Sequence, residues 1–286
     1  HFIEAVSMGE GGAVLSVAQN EGDHYRLKAK FLLDASGFGR VLPRLLNLNK
    51  PSDFPVRRSV FTHIKDNISV DTRHDRNKIL ISIHPQRRDV WFWLIPFSNG
   101  RCSVGVVADE ALFDSLSGDG KVALLKESIA GCPELADILK DSVFDTEIRD
   151  ICGYSSNVTS LFGANFALLG NAGEFLDPVF SSGVTIAMKS ASLAAPLVSR
   201  QLSGEIVDWQ DEYARPLQRG VDTFRAYVNS WYAGTLQDII FAETESSTVR
   251  KMICSILAGY AWDEENPFVQ EPERRLRALA EICATV

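Results

Sequence analysis

The chain is predicted to have a mixed α and β fold, in which an α/β domain is interrupted by an antiparallel sheet and followed by a helical region. Two observations predict the α/β domain and the sheet that interrupts it. Apolar runs at Phe31 and at Phe166 each end in a glycine-containing turn that leads into a helical pattern. Between them, from Pro55 to Ala108, short apolar runs alternate with Pro, Gly and Asn turns, which is typical of an antiparallel sheet. From Ile206 onward the pattern is almost entirely helical.

The amino-terminal elements form a meander that leads into a deeper sheet. Three strands are predicted, at Phe2 to Val6, Ala13 to Ala18 and Tyr25 to Leu33. The third strand runs into Asp34-Ala35-Ser36-Gly37, and a helix is predicted from Val41 to Leu48. This order of strand, small-residue turn and helix indicates one unit of an α/β domain.

The inserted sheet comes next. Its predicted strands are Val56 to Ile64, Lys78 to Ile83, Val90 to Pro96 and Cys102 to Val107. A helix from about Asp119 to Lys140 and a returning strand from Phe144 to Cys152 follow. We therefore expect an inserted domain at 55–150, between two parts of one domain at 1–54 and 151–205, and a helical region at 206–286.

The segment from Leu168 to Gly183 is the second strand, glycine loop and helix of the α/β domain. The helical pattern runs from Val184 to Leu202, so that Ser181 or Ser182 is the natural N-cap. A helix start has unpaired N–H groups and a partial positive charge, which suit an anion or the electron-rich edge of a bound ring. Taken alone, the segment is equally compatible with an ordinary connection between a strand and a helix.

Two tryptophans mark the third strand of the inserted sheet. Trp91 and Trp93 are two residues apart, so their side chains lie on the same face of the strand, and Pro96 ends it. The two indoles form a rigid apolar wall. For such a pair alone, packing of the sheet against its covering helices is the favoured interpretation.

Composition excludes several classes of protein. The formal net charge of -8 argues against nucleic acid as the main partner, because phosphate binding needs a concentrated basic face. No apolar run is long enough to span a membrane. The five cysteines include no CxxC pair and the histidines have no ligand spacing, so we expect reduced thiols, a cytoplasmic location and no metal site.

Three motifs together resemble a known family. Trp91 to Pro96 resembles the WxWxIP signature of flavin-dependent halogenases. Gly170 to Gly183 resembles the second flavin-binding motif of the same superfamily, and Asp34 to Gly37 resembles the motif that precedes it. The resemblance implies the fold of the FAD-dependent aromatic hydroxylases and halogenases: an FAD-binding domain, an inserted β-sheet substrate domain and a helical carboxyl-terminal region.

The resemblance also implies the chemistry and the site. Reduced FAD from a flavin reductase, oxygen and chloride or bromide would halogenate a small aromatic substrate. Trp91 and Trp93 would separate the flavin from the substrate, and the backbone at Ser182 and Gly183 would flank the halide. The residues implied to contact FAD are Asp34, Gly37, Gly170, Asn171, Asp177, Pro178 and Gly183.

Three departures from the family pattern change what we expect of this chain. It has no GxGxxG motif and begins at His1, so we expect a carboxyl-terminal fragment that holds FAD weakly or not at all and is inactive alone. Asn171 stands where many relatives have Asp. Phe180 lies where tryptophan-type halogenases have a glutamate, and a phenylalanine can neither act as a base nor stabilise a cationic ring. This argues against free tryptophan as substrate and favours a phenol or pyrrole activated by its own heteroatom, or no halogenation at all.

Two alternatives to a halogenase stay open. One is an FAD-dependent reductase similar to geranylgeranyl reductases, which share the fold and two of the motifs. The other is a non-catalytic fragment or subunit that only binds a partner.

An acidic carrier protein bearing the substrate could dock on basic residues of the inserted sheet, although a solvated surface is the favoured interpretation of them. These residues are Arg73, Arg76, Lys78, Arg87 and Arg88.

Overall fold

The chain folds into two compact units. The computed structural model describes residues 1–19, 22–69, 74–116, 120–242 and 247–284. Unit 1 consists of His1–Phe54 and Ser155–Val286, and unit 2 consists of Pro55–Tyr154. The assignment of separate functions to four segments of the chain stays a prediction.

Unit 1 begins with a three-stranded antiparallel sheet and then enters a second sheet. The elements are β1 (Phe2–Gly9), β2 (Gly12–Ala18), β3 (His24–Ala29), β4 (Leu32–Asp34), α1 (Val41–Leu45) and β5 (Asn49–Pro51). The prediction of one strand from Tyr25 to Leu33 is wrong, because the chain bends between β3 and β4. At this bend the ring of Phe31 stacks on Trp209, with ring centroids 5.0 Å apart. The predicted helix from Val41 ends early, before Asn47, whose backbone is left-handed (φ 56°).

Unit 2 is the predicted antiparallel sheet, with helices packed on one face. Its strands are β6 (Arg58–Lys65), β7 (Leu80–His84), β8 (Arg87–Pro96), β9 (Arg101–Ala108) and β10 (Arg149–Cys152), in the order β10-β6-β9-β8-β7. Its helices are α2 (Glu110–Ser115), α3 (Gly120–Ala130) and α4 (Pro133–Ile138). The predicted single helix to Lys140 is broken before Pro133, and Asp119 lies outside the described residues. The returning strand begins at Arg149, not at Phe144.

Side chains from alternate strand positions form the core of unit 2. Val60, Phe92 and Val104 lie in this core together with Leu125 and Leu135 of the helices. Because successive residues of a strand point to opposite faces, Trp91 and Trp93 lie on the other face of the sheet.

The rest of unit 1 is mostly helical. Three short strands come first: β11 (Ser156–Val158), β12 (Phe162–Gly163) and β13 (Phe166–Leu168). The helices are α5 (Gly183–Leu202), α6 (Arg215–Tyr232), α7 (Thr235–Ile240), α8 (Ser247–Leu257), α9 (Pro267–Gln270) and α10 (Pro272–Ala284). Strand β13 pairs in parallel with β4, and β11 pairs antiparallel with β5. The prediction of a mixed α and β fold with a helical end is confirmed.

Candidate functional site

A cavity of about 530 Å³ lies in unit 1, where three segments of the chain meet. The first segment is the turn after β4, the second is the loop after β13, and the third is the first half of α5. The lining residues are Ala35, Gly37, Leu169, Gly170, Asn171, Phe175, Asp177, Pro178, Ser181, Gly183, Val184, Ala187 and Ala191. Six of the predicted FAD contacts, all except Asp34, are therefore brought together around one cavity.

Parallel pairing of two strands explains why the loops meet. Asp34 at the end of β4 is paired with Leu168 at the end of β13. The carboxyl ends of parallel neighbours lie at the same edge of a sheet, so the loops that follow them emerge side by side. Leu169 N extends this pairing by donating to the carbonyl of Asp34 at 2.8 Å.

Gly170 brings the second loop into contact with α5. Its φ is +52°, and a Cβ at this position would lie 2.8 Å from the Cβ of Ala187. Its N–H donates to Ser190 Oγ at 3.0 Å. Only glycine combines this backbone conformation with so close an approach, so the residue fixes the loop on the helix.

The buried Asp34 side chain stabilises its own turn. Oδ1 accepts from Ser36 N at 2.8 Å and Oδ2 accepts from Leu42 N at 2.7 Å. Both oxygens thus bind backbone N–H groups, and Asp34 does not line the cavity. Its predicted direct contact with FAD stays a prediction, and the contacts described assign it to the shape of the turn.

Arg40 connects the two loops and was not found by sequence reasoning. Its guanidinium donates to Asn171 O at 3.3 Å, to Asn157 O at 2.8 Å and to Ser156 Oγ at 2.6 Å. It also donates twice to Asn49 Oδ1, at 3.0 and 3.1 Å. Burial lowers the pKa of Arg40, an effect that the charge of Asp34 opposes. The residue has a left-handed backbone (φ 42°), a feature that no sequence pattern indicates.

Helix α6 supports the other wall of the cavity. Tyr232 Oη donates to Asp177 Oδ2 at 2.9 Å, while Asp177 Oδ1 accepts from Val179 N. The ring of Phe180 makes edge contacts with Tyr227 and Trp231, with centroids 6.5 and 6.0 Å apart. The loop that lines the cavity is thus fixed on α6 through both polar and aromatic contacts.

The start of α5 borders the same cavity. Ser182 occupies the N-cap position, one of the two predicted, but its buried side chain makes no capping hydrogen bond. Its carbonyl accepts from Ile186 N. The N–H groups in the first turn of a helix lack intrahelical acceptors and concentrate positive charge, so the cavity wall at Gly183 favours an anion.

The predicted tryptophan wall lies in unit 2. Trp91 is almost fully buried and Trp93 is half-buried, with ring centroids 5.9 Å apart. Trp93 Nε1 donates to Ser103 Oγ at 3.0 Å, and the ring of Phe61 packs against Trp93 with centroids 5.8 Å apart. These contacts hold the two indoles in fixed positions.

Neighbouring carboxylates bind most of the basic residues proposed to dock a carrier protein. Arg76 pairs with Asp66, Lys78 with Asp75, and Arg87 with Asp89 and Asp109. Arg73 lies outside the described residues. The charge of this surface is therefore largely balanced, which supports the interpretation of a solvated face.

The described ranges contain neither a membrane-spanning helix nor a metal-binding cluster. In those ranges no helix is long and apolar enough to cross a membrane. The same residues include no group of three His, Cys, Asp or Glu side chains placed to hold a metal ion. The five cysteines are free thiols.

Residues 2–246 match the family model described as tryptophan halogenase. The chain belongs to the tryptophan halogenase family. A flavin-dependent halogenase of Penicillium aethiopicum is 27% identical over 69% of this chain, but the match spans only 39% of that enzyme. A 1H-pyrrole-2-carbonyl-[peptidyl-carrier protein] chlorinase of Pseudomonas fluorescens is 25% identical over 89% of this chain and 57% of its own length. The chain thus spans only part of the curated family members it matches.

The chain is also similar to solved structures. A flavoprotein/dehydrogenase from Cytophaga hutchinsonii is 39% identical, with a TM-score of 0.92 over 99% of this chain and 69% of that chain. The flavin-dependent brominase Bmp2 is 22% identical, with a TM-score of 0.82 over 100% of this chain and 70% of that chain. The second likeness concerns the fold alone. The resemblance drawn from the three motifs is confirmed at the level of the family.

Proposed function

We propose that this chain forms the flavin-ring and substrate-binding part of an FAD-dependent halogenase. The observation that carries the proposal is the cavity in unit 1, which is lined by residues of two of the three motifs, in a chain of the tryptophan halogenase family. We propose an electron-rich phenol or pyrrole as the substrate, and chloride or bromide as the halide.

The cavity residues fit the ring and ribityl part of FAD. The volume of the cavity is that of a small-molecule site, and the cavity walls consist mainly of backbone, glycine and small apolar side chains. At Gly170 the backbone forms part of the wall in a place where a side chain would clash with α5. Gly37, Gly170, Asn171, Asp177, Pro178 and Gly183 would hold the cofactor.

Each proposed residue has a limited task in the reaction. When bound, reduced FAD would supply the electrons with which oxygen converts halide to hypohalous acid. The backbone at Ser182 and Gly183 would bind the halide through the positive end of α5, without a side-chain cation. Trp91 and Trp93 would form a wall that excludes water and keeps the substrate apart from the cofactor.

Phe180 limits the substrates that the site can activate. It has no group that can accept a proton or stabilise a cation, so the ring to be halogenated must be activated by its own oxygen or nitrogen. This supports a phenol or pyrrole over free tryptophan.

The proposals for partners and cellular location rest on fewer observations than the proposal for the cofactor. A flavin reductase would supply reduced FAD. A substrate tethered to a carrier protein is compatible with the match to the Pseudomonas chlorinase, although the balanced charge around Arg87 gives it little support. The cytoplasmic location stays a prediction from the unpaired cysteines.

The alternatives differ in their support. The reductase interpretation is not favoured, since the two curated relatives described above are a flavin-dependent halogenase and a chlorinase. The non-catalytic interpretation predicts that no cofactor binds, and the experiment below tests it.

The test is a halide-dependence assay of the full-length protein with FAD, a flavin reductase, NADH and oxygen. We expect chlorinated or brominated phenol or pyrrole products, detected by mass spectrometry, only when halide is present. Gly183→Val adds a side chain at the cavity wall and should abolish flavin binding and product formation. Ala195→Val places the same side chain at an exposed position of α5 and should change neither. Oxidation of substrate without any halide requirement would contradict the proposal.

A further inference from the structure

One face of α6 bears three buried polar atoms that lack hydrogen-bond partners. Tyr227, Ser230 and Trp231 are three and four residues apart, so they lie on one side of the helix. Tyr227 Oη, Ser230 Oγ and Trp231 Nε1 have no partner among the residues that the structure describes. Tyr227 is 0% exposed and Trp231 is 5% exposed. We call these three residues the α6 polar face.

Such a cluster needs a physical explanation. Most buried polar groups in folded proteins are hydrogen-bonded, because an unpaired one loses its interactions with water without replacing them. The phenol of Tyr213 is an example from the same unit, since its hydroxyl donates to the carbonyl of Leu168. Three unpaired atoms within five residues of one helix are therefore available to pair with a bound molecule.

The α6 polar face is connected to the loop that lines the cavity. Phe180 makes edge contacts with the rings of both Tyr227 and Trp231. Phe180 follows Asp177 and Pro178, which line the cavity, and the next residue of α6, Tyr232, binds Asp177. Phe180 is only half-buried, so rotation of its ring would open a path to the polar atoms.

We propose that the α6 polar face binds the oxygen of a phenol-type substrate. The aromatic ring of the substrate would take over the contacts that Phe180 makes with Tyr227 and Trp231. The inference rests on the proposed function, and it narrows the proposed substrate class from phenol or pyrrole to phenol.

The kinds of donors and acceptors favour an oxygen. The indole N–H of Trp231 can only donate, so its partner must be an acceptor. Burial raises the pKa of Tyr227, which keeps its hydroxyl neutral and able both to donate and to accept. A phenol hydroxyl can accept from Trp231 and donate to Tyr227 or Ser230. An unsubstituted pyrrole offers only an N–H donor and leaves Trp231 without a partner.

The first test is the indole N–H spectrum of the protein labelled with ¹⁵N-tryptophan. The chain has five tryptophans, and Trp231→Phe identifies the resonance of interest by its loss. We expect phenol to shift the Trp231 resonance in a saturable way. Toluene, which has a similar shape but no oxygen, should not shift it. An unmoved resonance, or an equal response to both compounds, would overturn the inference.

The second test uses variants that remove only the unpaired atom. Tyr227→Phe should raise the melting temperature by about 2–4 °C, because an unsatisfied hydroxyl is lost, and should weaken phenol binding at least about tenfold. Ser230→Ala should act in the same direction. Tyr213→Phe is the matched control: it breaks a satisfied hydrogen bond, so it should lower the melting temperature and leave phenol binding unchanged.

The outcomes separate this inference from the proposed function. If the variants keep wild-type phenol binding while the protein halogenates phenol in the halide-dependence assay, the α6 polar face holds at most a water molecule and the inference fails. If phenol binds as expected but no halide-dependent product forms, the proposed function fails and the phenol site stands.

Discussion

Arg40 contributes to the site without lining the cavity. Its five hydrogen bonds reach the loop after β13 and the paired strands β5 and β11, and every acceptor is an uncharged oxygen. The planar guanidinium can satisfy several acceptors in fixed directions at once, which an ammonium group cannot do. The wall of the cavity at Asn171 therefore depends on this side chain.

We predict that Arg40→Met and Arg40→Lys both lower the free energy of unfolding, by about 1–3 kcal/mol for Met and by less for Lys. Lysine keeps the charge but cannot bind all four partner residues. Urea unfolding followed by circular dichroism measures the effect. Arg44→Met, at an exposed position of α1, should change stability by less than about 0.5 kcal/mol. An equal loss of unfolding free energy in the Arg40→Met and Arg44→Met variants would show that the hydrogen bonds of Arg40 do not stabilise the protein.

Asp34 and Arg40 illustrate what sequence reasoning finds at the scale of single residues. The motif includes Asp34, and its observed contacts are local, because the carboxylate binds two N–H groups of its own turn. The role of Arg40 depends on partners up to 131 residues away in the chain, and nothing local indicates them.

At the scale of elements, the contact between the loop after β13 and α5 determines the shape of the cavity. A side chain at Gly170 would meet both the Cβ and the Cα of Ala187, at 2.8 and 3.1 Å. The loop and the helix can approach this closely only when residue 170 has no side chain.

We predict that Gly170→Ala lowers the free energy of unfolding by more than the cost of placing alanine at a positive φ. Gly204→Ala is the matched control, since Gly204 also has positive φ (+89°) but faces open space. Strain at such a position costs about 1 kcal/mol, and the clash at Gly170 should add about 1–3 kcal/mol. Chemical denaturation measures both variants. Adding Ala187→Gly should recover part of the loss at Gly170, and the absence of any recovery would contradict the clash.

The observed ends of helices and strands agree with the predicted ends only where local sequence patterns determine them. The first four strands of the inserted sheet were predicted to within three residues of their ends, because alternating apolar residues and turn residues mark them, whereas the returning strand begins five residues later than predicted. The run from Tyr25 to Leu33 has one continuous strand pattern, yet it divides between two sheets. At the point of division Phe31 stacks on Trp209, and local patterns do not indicate such a tertiary contact.

At the scale of the whole molecule, unit 2 has its own hydrophobic core. The core includes Leu94 and Val104, both fully buried, and side chains from all three helices of the unit. A single stretch of sequence therefore has what an independently folding domain needs.

We predict that residues 55–154 fold when expressed alone and unfold in one cooperative transition. Leu94→Ala should lower the stability of this isolated domain by about 2–5 kcal/mol. Ile79→Ala, at an exposed position, should change it by less than about 0.5 kcal/mol. Near-ultraviolet circular dichroism reports the fixed Trp91 and Trp93 pair. A gradual, non-cooperative loss of signal would show that the core of unit 2 is insufficient alone.

The cavity was predictable in its parts but not as a whole. The motifs named the loop residues because glycine, proline and N-cap signals are local. The support from α6 was not predicted, since Tyr232 and Trp231 lie more than 50 residues beyond the loop they contact. Their aromatic character alone indicated only core packing.

The attachment of Gly170 to α5 also has a consequence for motion. The loop is hydrogen-bonded to Ser190 and packed on Ala187, so loop and helix must fluctuate together. We therefore expect small molecules to enter and leave through rotamer changes of bordering side chains such as Asn171 and Phe175, and not through an opening of this wall.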